Sequence, residues 1–233
     1  MKKRIGVLGG MGPMASQLFY KMVTERTCAA CDQDHVNMII CSDTSMPDRT
    51  GAILSGQLQE VHDKMLSDAR MLENCGCQAL AITCNTAHYF ADMIADELSI
   101  PIVHMIKETV GTLSETDPGS KVAILATDGT IQTGIYQKRM EEAGLRPYVP
   151  DPELQKIVMY QIYDRVKAGK PFDAEKWDVL DKIVRAAGCT HAIMGCTELS
   201  VIKADEGLDD FYVDPMEVLA ERVIQFSGGE VKR

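Results

Sequence analysis

Short, fully apolar runs alternate along this chain with longer stretches in which apolar residues recur every three or four positions. The runs at 5–8, 36–41, 79–83, 102–103, 122–125, 147–149 and 192–194 read as strands. Those without polar alternation, such as 79–83, are expected to be central in a parallel sheet and covered on both faces. Helical spacing fills the intervals at 14–28, 52–74, 131–143, 153–168, 174–187 and 215–226; in the second of these, Leu54, Leu58, Val61, Met65 and Leu72 share related faces. Strand–helix alternation of this kind predicts an α/β fold with parallel sheets.

The chain also echoes itself. Gly76-Cys77-Gln78-Ala79-Leu80-Ala81-Ile82-Thr83-Cys84 matches Gly188-Cys189-Thr190-His191-Ala192-Ile193-Met194-Gly195-Cys196 at an offset of 112 residues. Val7-Leu8-Gly9-Gly10-Met11-Gly12 echoes Ile124-Leu125-Ala126-Thr127-Asp128-Gly129 at 117. Two echoes at nearly equal spacing predict a duplication: two pseudo-symmetric Rossmann-like or flavodoxin-like α/β domains. Their strand ends would face a shared cleft, where such sheets place ligands. The first domain is expected to span 1–108 plus about 210–233, and the second about 109–209.

A length of 233 residues, 45% hydrophobic and 25% charged, suits a globular chain with a self-sufficient core. The net charge of −10, with no basic run after the first four residues, argues against nucleic acid as a partner. It also requires any anion site to be locally positive. The start Met1-Lys2-Lys3-Arg4 is signal-like, but Gly6, Gly9, Gly10, Gly12 and Pro13 interrupt the apolar run behind it. No run approaches the roughly 18 apolar residues of a membrane span, so no membrane association and a cytoplasmic location are expected. The eight cysteines are even in number, yet Cys41, Cys84 and Cys196 lie in or just after strand-like runs. Reduced thiols rather than a disulfide scaffold are expected. Cys28-x-x-Cys31 and Cys75-x-Cys77 lack the paired spacing of a structural zinc site, and His35, His62, His104 and His191 show no ligand spacing, so no metal is expected.

Cys84 and Cys196 occupy equivalent places, each ending a strand and preceding a helix start, Asn85-Thr86-Ala87-His88 and Thr197-Glu198-Leu199. A thiol at such a junction feels the positive end of the helix, which favours the thiolate. The free N–H groups there, with the side chains of Asn85, Thr86 and Thr197, can hold a carboxylate. Two thiols on opposite sides of one molecule suit removal of a proton from one face of a carbon and its return to the other. That is stereoinversion by general acid–base catalysis, and it needs no cofactor. Preorganised donors at the α-carboxylate would stabilise the developing carbanion. Taken singly, either cysteine also reads as a packed core residue. His88, one turn after Cys84, is expected to pack or cap rather than to ionise the thiol.

Three segments, Gly9-Gly10-Met11-Gly12-Pro13-Met14-Ala15, Cys84-Asn85-Thr86-Ala87-His88 and Gly195-Cys196-Thr197-Glu198-Leu199, together resemble the aspartate/glutamate racemases, and the aspartate branch in particular. The resemblance extends over essentially the whole chain. It implies two pseudo-symmetric α/β domains, a cofactor-independent racemase interconverting L- and D-aspartate, a homodimer, and Cys84 and Cys196 as the acid/base pair. It further implies that Arg49, in Ser45-Met46-Pro47-Asp48-Arg49-Thr50, contacts the substrate side-chain carboxylate. Lys167 resembles a second cationic anchor, with Arg165 two residues away as its alternative. Substrate contacts are also expected at Met11, Asn85, Thr86, Thr127, Thr197 and Glu198. Arg49 itself reads as a loop residue between Pro47 and Gly51, with a planar guanidinium able to grip a carboxylate bidentately. Glu198 either receives a hydrogen bond from the substrate ammonium or caps its helix.

Other readings stay open at this point. Glutamate or broad amino-acid specificity, or another carbanion reaction, would use the same scaffold. Gly10-Met11-Gly12-Pro13-Met14-Ala15 also fits the G-x-G-x-x-A of a nucleotide-binding oxidoreductase. Against that, Pro13 removes an N–H near the would-be phosphate, and Asp43 follows later than the usual ribose-binding acid. A hydrolase built on Cys84 and His88 lacks a third, orienting residue.

Overall fold

The computed structural model describes residues 2–232. Two four-stranded sheets, every pairing parallel, carry helices on their faces. The first sheet comprises β1 (Ile5–Gly9), β2 (Met38–Ser42), β3 (Ala79–Ile82) and β4 (Ile102–Val103), in the order β2-β1-β3-β4. The second comprises β5 (Lys121–Ala126), β6 (Arg146–Tyr148), β7 (His191–Gly195) and β8 (Tyr212–Val213), in the matching order β6-β5-β7-β8. The α/β architecture and the two-part repeat are those the sequence pattern predicts. In this strand order the chain leaves β1 toward one sheet edge and β3 toward the other, so a crevice opens beyond the carboxyl ends of that pair. The pair β5 and β7 repeats the arrangement.

Both faces of the central strands are buried, with side chains alternating between them. Leu8, Leu80 and Ile82 pack with Leu72 and Phe90 on one side, while Ile5, Val7, Ala79 and Ala81 pack with Phe19 and Ile224 on the other. The halves also exchange helices. After β4, the helix Met105–Thr116 lays Ile106, Val110 and Leu113 against Val122, Ile124 and Ile193 of the second half. After β8, the helix Pro215–Ser227 returns Met216, Leu219 and Val223 to the core around β1. The second sheet thus reaches Val213, past the expected boundary near 209, because a two-residue strand does not stand out from the sequence pattern. Among the described residues, no helix is long and apolar enough to cross a membrane.

Three expected helices take a different form. The stretch 52–74 is two helices, Arg49–Ser55 and Gln59–Asn74, because Gly56 turns left-handed at φ +74° and closes the first. Gly134, at φ +64°, likewise divides 131–143 into Asp128–Thr133 and Ile135–Glu142. The expected 153–168 helix is α-helical over Pro152–Met159 and then widens into a π-helix over Tyr160–Val166, immediately before Lys167.

The returning helix is capped by Asp214. Its Oδ1 accepts from the Met216 N–H at 2.8 Å and from the Ser200 hydroxyl at 2.7 Å, while its buried Oδ2 has no donor. Burial raises its pKa from 3.8 to about 6; Glu217 adds to the rise, while Ser200 and Lys203 oppose it. A carboxyl whose folded-state pKa is raised favours the fold most when protonated, and that contribution falls away as pH rises from about 4 through about 6. Asp214→Asn, which keeps the Oδ1 acceptor, should therefore melt above the parent protein at neutral pH. The gap should close below about pH 4, where the parent acid is protonated. Calorimetric melting temperatures across this range check it, and a gap independent of pH would contradict it.

Candidate active site

The loop after β1 passes so close to the end of β2 that a Cβ on Gly10 would lie 2.4 Å from the Asp43 backbone, and Gly10 adopts φ +84°. Only glycine fits there, and the tight passage sets Met11 at the mouth of the cleft. Facing it is Arg49. The structure corrects its expected loop position: Arg49 opens the helix Arg49–Ser55, which is capped by Asp48 through the Gly51 N–H at 2.6 Å. This places the guanidinium inward and buried. Nη1 donates to the Pro47 carbonyl at 2.9 Å and Nη2 to the Met11 carbonyl at 3.3 Å, while buried Nε has no acceptor. Burial works against the charge, but Cys84, Asp48 and Glu198 outweigh it and raise the pKa of Arg49 above its ordinary value.

Cys196 stands opposite, at the N-cap of the helix Thr197–Glu206. Its thiol donates to Oε2 of Glu198 at 2.9 Å, and Lys167 Nζ lies 3.6 Å from Oε1 of the same carboxylate. Burial first, then the charge of Glu198, pushes the Cys196 thiol well above its ordinary pKa, with Lys167 opposing. Lys167 stays charged: Glu198 and Cys196 outweigh its desolvation and raise its pKa. Arg165, its alternative in the sequence, faces away and donates to the Pro171 carbonyl at 2.6 Å.

Met11, Arg49, Lys167 and Glu198 line a cavity of about 380 Å³ whose remaining wall includes Met14, Met46, Val166 and Val201. Cys84, Asn85, Thr86, Thr127, Cys196 and Thr197 are all buried and do not line this cavity. Asn85 Oδ1 accepts from the Tyr136 hydroxyl at 2.6 Å, which leaves Nδ2 buried and without an acceptor. Thr86 and Thr127 have their hydroxyls 3.1 Å apart, and Thr130 joins them at 2.8 and 3.1 Å, so these side chains tie the end of β3 to the end of β5.

Two features escaped the sequence reading. The contact of Glu198 with the Cys196 thiol joins neighbours two residues apart, but helix-cap geometry alone did not specify it. Tyr136 sits in a stretch with only ordinary helical spacing. Its position against Gly195, whose added Cβ would lie 3.5 Å from the ring, depends on the tertiary fold. The phosphate-loop reading of Gly10 to Ala15 is also answered by charge. Glu198 Oε1 would lie 3.4 Å from a Cβ on Gly12, so a carboxylate stands where a pyrophosphate would have to approach.

A family profile described as Asp/Glu/Hydantoin racemase matches residues 8–223. A broad specificity amino-acid racemase from Bacillus subtilis is 33% identical over 144 residues, covering 60% of this chain and 61% of that protein. A glutamate racemase from Persephonella marina is 28% identical over 141 residues, covering 59% of this chain and 52% of that protein. These matches therefore span between half and two thirds of each relative's length. Among solved structures, an aspartate racemase from Picrophilus torridus superposes with a TM-score of 0.83 at 28% identity, covering 99% of this chain and 96% of that one. An aspartate racemase homologue from Pyrococcus horikoshii gives 0.78 at 23% identity, over 98% and 100%, and shares the fold.

If Glu198 helps hold the proton on Cys196, Glu198→Gln should move the pH profile of Cys196 alkylation to lower pH and leave that of Cys84 in place. Iodoacetamide labelling followed by peptide mass spectrometry reads both thiols at once. An unmoved Cys196 profile would assign the whole effect to burial.

Proposed function

The chain belongs to the Asp/Glu/hydantoin racemase family, and on that premise we propose that it interconverts the enantiomers of an acidic amino acid, aspartate foremost. Cys84 and Cys196 would serve opposite faces of the α-carbon. The observation that carries this reading is a pair of buried thiols at equivalent strand ends, one of which, Cys196, donates to the Glu198 carboxylate. Cys196, whose proton is held by burial and by Glu198, is the donor to the carbanion. Cys84 takes the proton from the other face, and the reverse reaction exchanges the two roles. The free Nδ2 of Asn85 and the first amides of the helix Thr197–Glu206 are available to the α-carboxylate, where charge develops as the carbanion forms. Arg49 and Lys167 supply the local positive charge that a dianionic substrate needs in a protein of net charge −10. Glu198 would receive the substrate ammonium.

A second reading, broad amino-acid specificity, is favoured by the apolar wall of Met11, Met14, Met46, Val166 and Val201. The Bacillus subtilis relative supports it as well.

Chiral chromatography of a panel of L-amino acids incubated with the protein separates the two readings. Aspartate should racemise fastest under the first, and apolar amino acids at comparable rates under the second. Cys84→Ala and Cys196→Ala should each slow the reaction by at least about 10²–10⁴-fold, and full activity in either would overturn the pairing. Arg49→Ala leaves a desolvated anion without its partner, a loss of about 2–5 kcal/mol, so kcat/KM for aspartate should fall roughly 30-fold or more. An uncharged substrate should lose much less. Equal losses would assign Arg49 to the fold or to the α-carboxylate.

A further inference from the structure

Each thiol precedes, by one helical turn, a buried polar side chain associated with the start of a helix that crosses to the other half. In the first half that residue is His88, which opens the helix His88–Ile94 and is wholly buried. Its Nδ1–H donates to the Cys84 carbonyl at 2.8 Å, and its Nε2 accepts from the Met105 N–H at 3.1 Å. One neutral tautomer serves both bonds. Burial lowers the pKa of the ring to about 4, so it is neutral at physiological pH. Met105 begins the crossing helix, and its N-cap His104 packs against His88 with ring centroids 4.6 Å apart. In the second half the corresponding residue is Ser200, four after Cys196, whose hydroxyl donates to the helix cap Asp214 at 2.7 Å. There the tie reaches the cap without a side-chain bond to the cysteine carbonyl. His88 bonds directly to the carbonyl of its cysteine.

Building on the racemase reading above, we propose that His88 is a positioning residue for Cys84. Its ring clamps the Cys84 carbonyl to the first amide of the crossing helix and so fixes how far the thiol projects toward the cleft and toward Cys196. The ring is wholly buried and both its nitrogens are bonded to backbone groups, so it acts through the backbone of Cys84 and not on the substrate. Proton transfer between a thiol and the α-carbon is sensitive to such placement, since a misplacement of about 1 Å can cost roughly 10²-fold in rate.

Two substitutions separate the two bonds. His88→Asn places an amide donor where Nδ1 lies and keeps the bond to the Cys84 carbonyl. His88→Gln reaches the position of Nε2 and keeps an acceptor for Met105. Each retains one buried bond, so their melting temperatures should fall by similar amounts. If His88 positions the thiol, the Asn variant should keep kcat within about threefold. The Gln variant should lose roughly 10- to 100-fold in kcat with KM held within about twofold. Independently of turnover, the rate of iodoacetamide labelling at Cys84, with Cys196 as internal reference, should change in the Gln variant and not in the Asn variant. Equal kcat and equal labelling in the two variants, tracking only their stability, would overturn the proposal. Absence of racemisation in the parent protein with the labelling difference intact would instead overturn the reaction while supporting the positioning of Cys84.

Discussion

Arg49 and Glu198 carry opposite charges into the gap between the two halves, where each is no more than 8% exposed. A buried ion without partners costs several kcal/mol, so charges in such a place must be matched by geometry. Arg49 is held by the carbonyls of Met11 and Pro47, and Glu198 by the Cys196 thiol and the Lys167 ammonium. These partners come from the loop after β1, the loop after β2, the end of the π-helical stretch and the start of the helix after β7. The parallel sheets bring all four segments to one place because each lies beyond the carboxyl end of a strand or flanks that crevice. Glycine at position 10 permits the closest of these approaches.

The duplicated backbone is symmetric where the strands end and asymmetric in what surrounds them. Cys84 and Cys196 occupy matching junctions, but the first half presents a guanidinium and the second a carboxylate. In the proposed two-base inversion one thiol carries a proton while the other is ready to accept one, and these unlike neighbours would favour one such assignment over the other. The exchanged helices serve the same end. Each half contributes to the core of the other through Met105–Thr116 or Pro215–Ser227, so the spacing of the two strand ends is set by buried apolar packing as well as by polar contacts.

Much of this was legible because apolar strands and repeated cysteines leave a strong trace. The run 79–83 and its copy at offset 112 sufficed to place both thiols at strand ends. The helix breaks at Gly56 and Gly134 were not legible, because a single glycine costs a helix only about 1 kcal/mol and the apolar spacing continues through it. Arg49 between proline and glycine read as a loop, while its burial depends on Asp48 acting as a cap. The π-helix before Lys167 leaves no mark in residue type; Lys167, which follows it, lines the cavity, while Arg165 donates to the Pro171 carbonyl. The bonds between His88 and Met105 and between Ser200 and Asp214 span 17 and 14 residues and exist only once each half is folded.

The central claim is that two different thiols act on opposite faces of one carbon. Incubation of L-aspartate in D₂O, with the enantiomers separated and their α-deuterium content measured early in the reaction, tests it most directly. The account predicts D-aspartate deuterated at the α-carbon while recovered L-aspartate remains largely protiated, because the donating thiol exchanges with solvent and the accepting thiol returns the substrate's own proton. Deuterium entering both enantiomers at the same early rate would point to a single base exchanging with solvent and would contradict it.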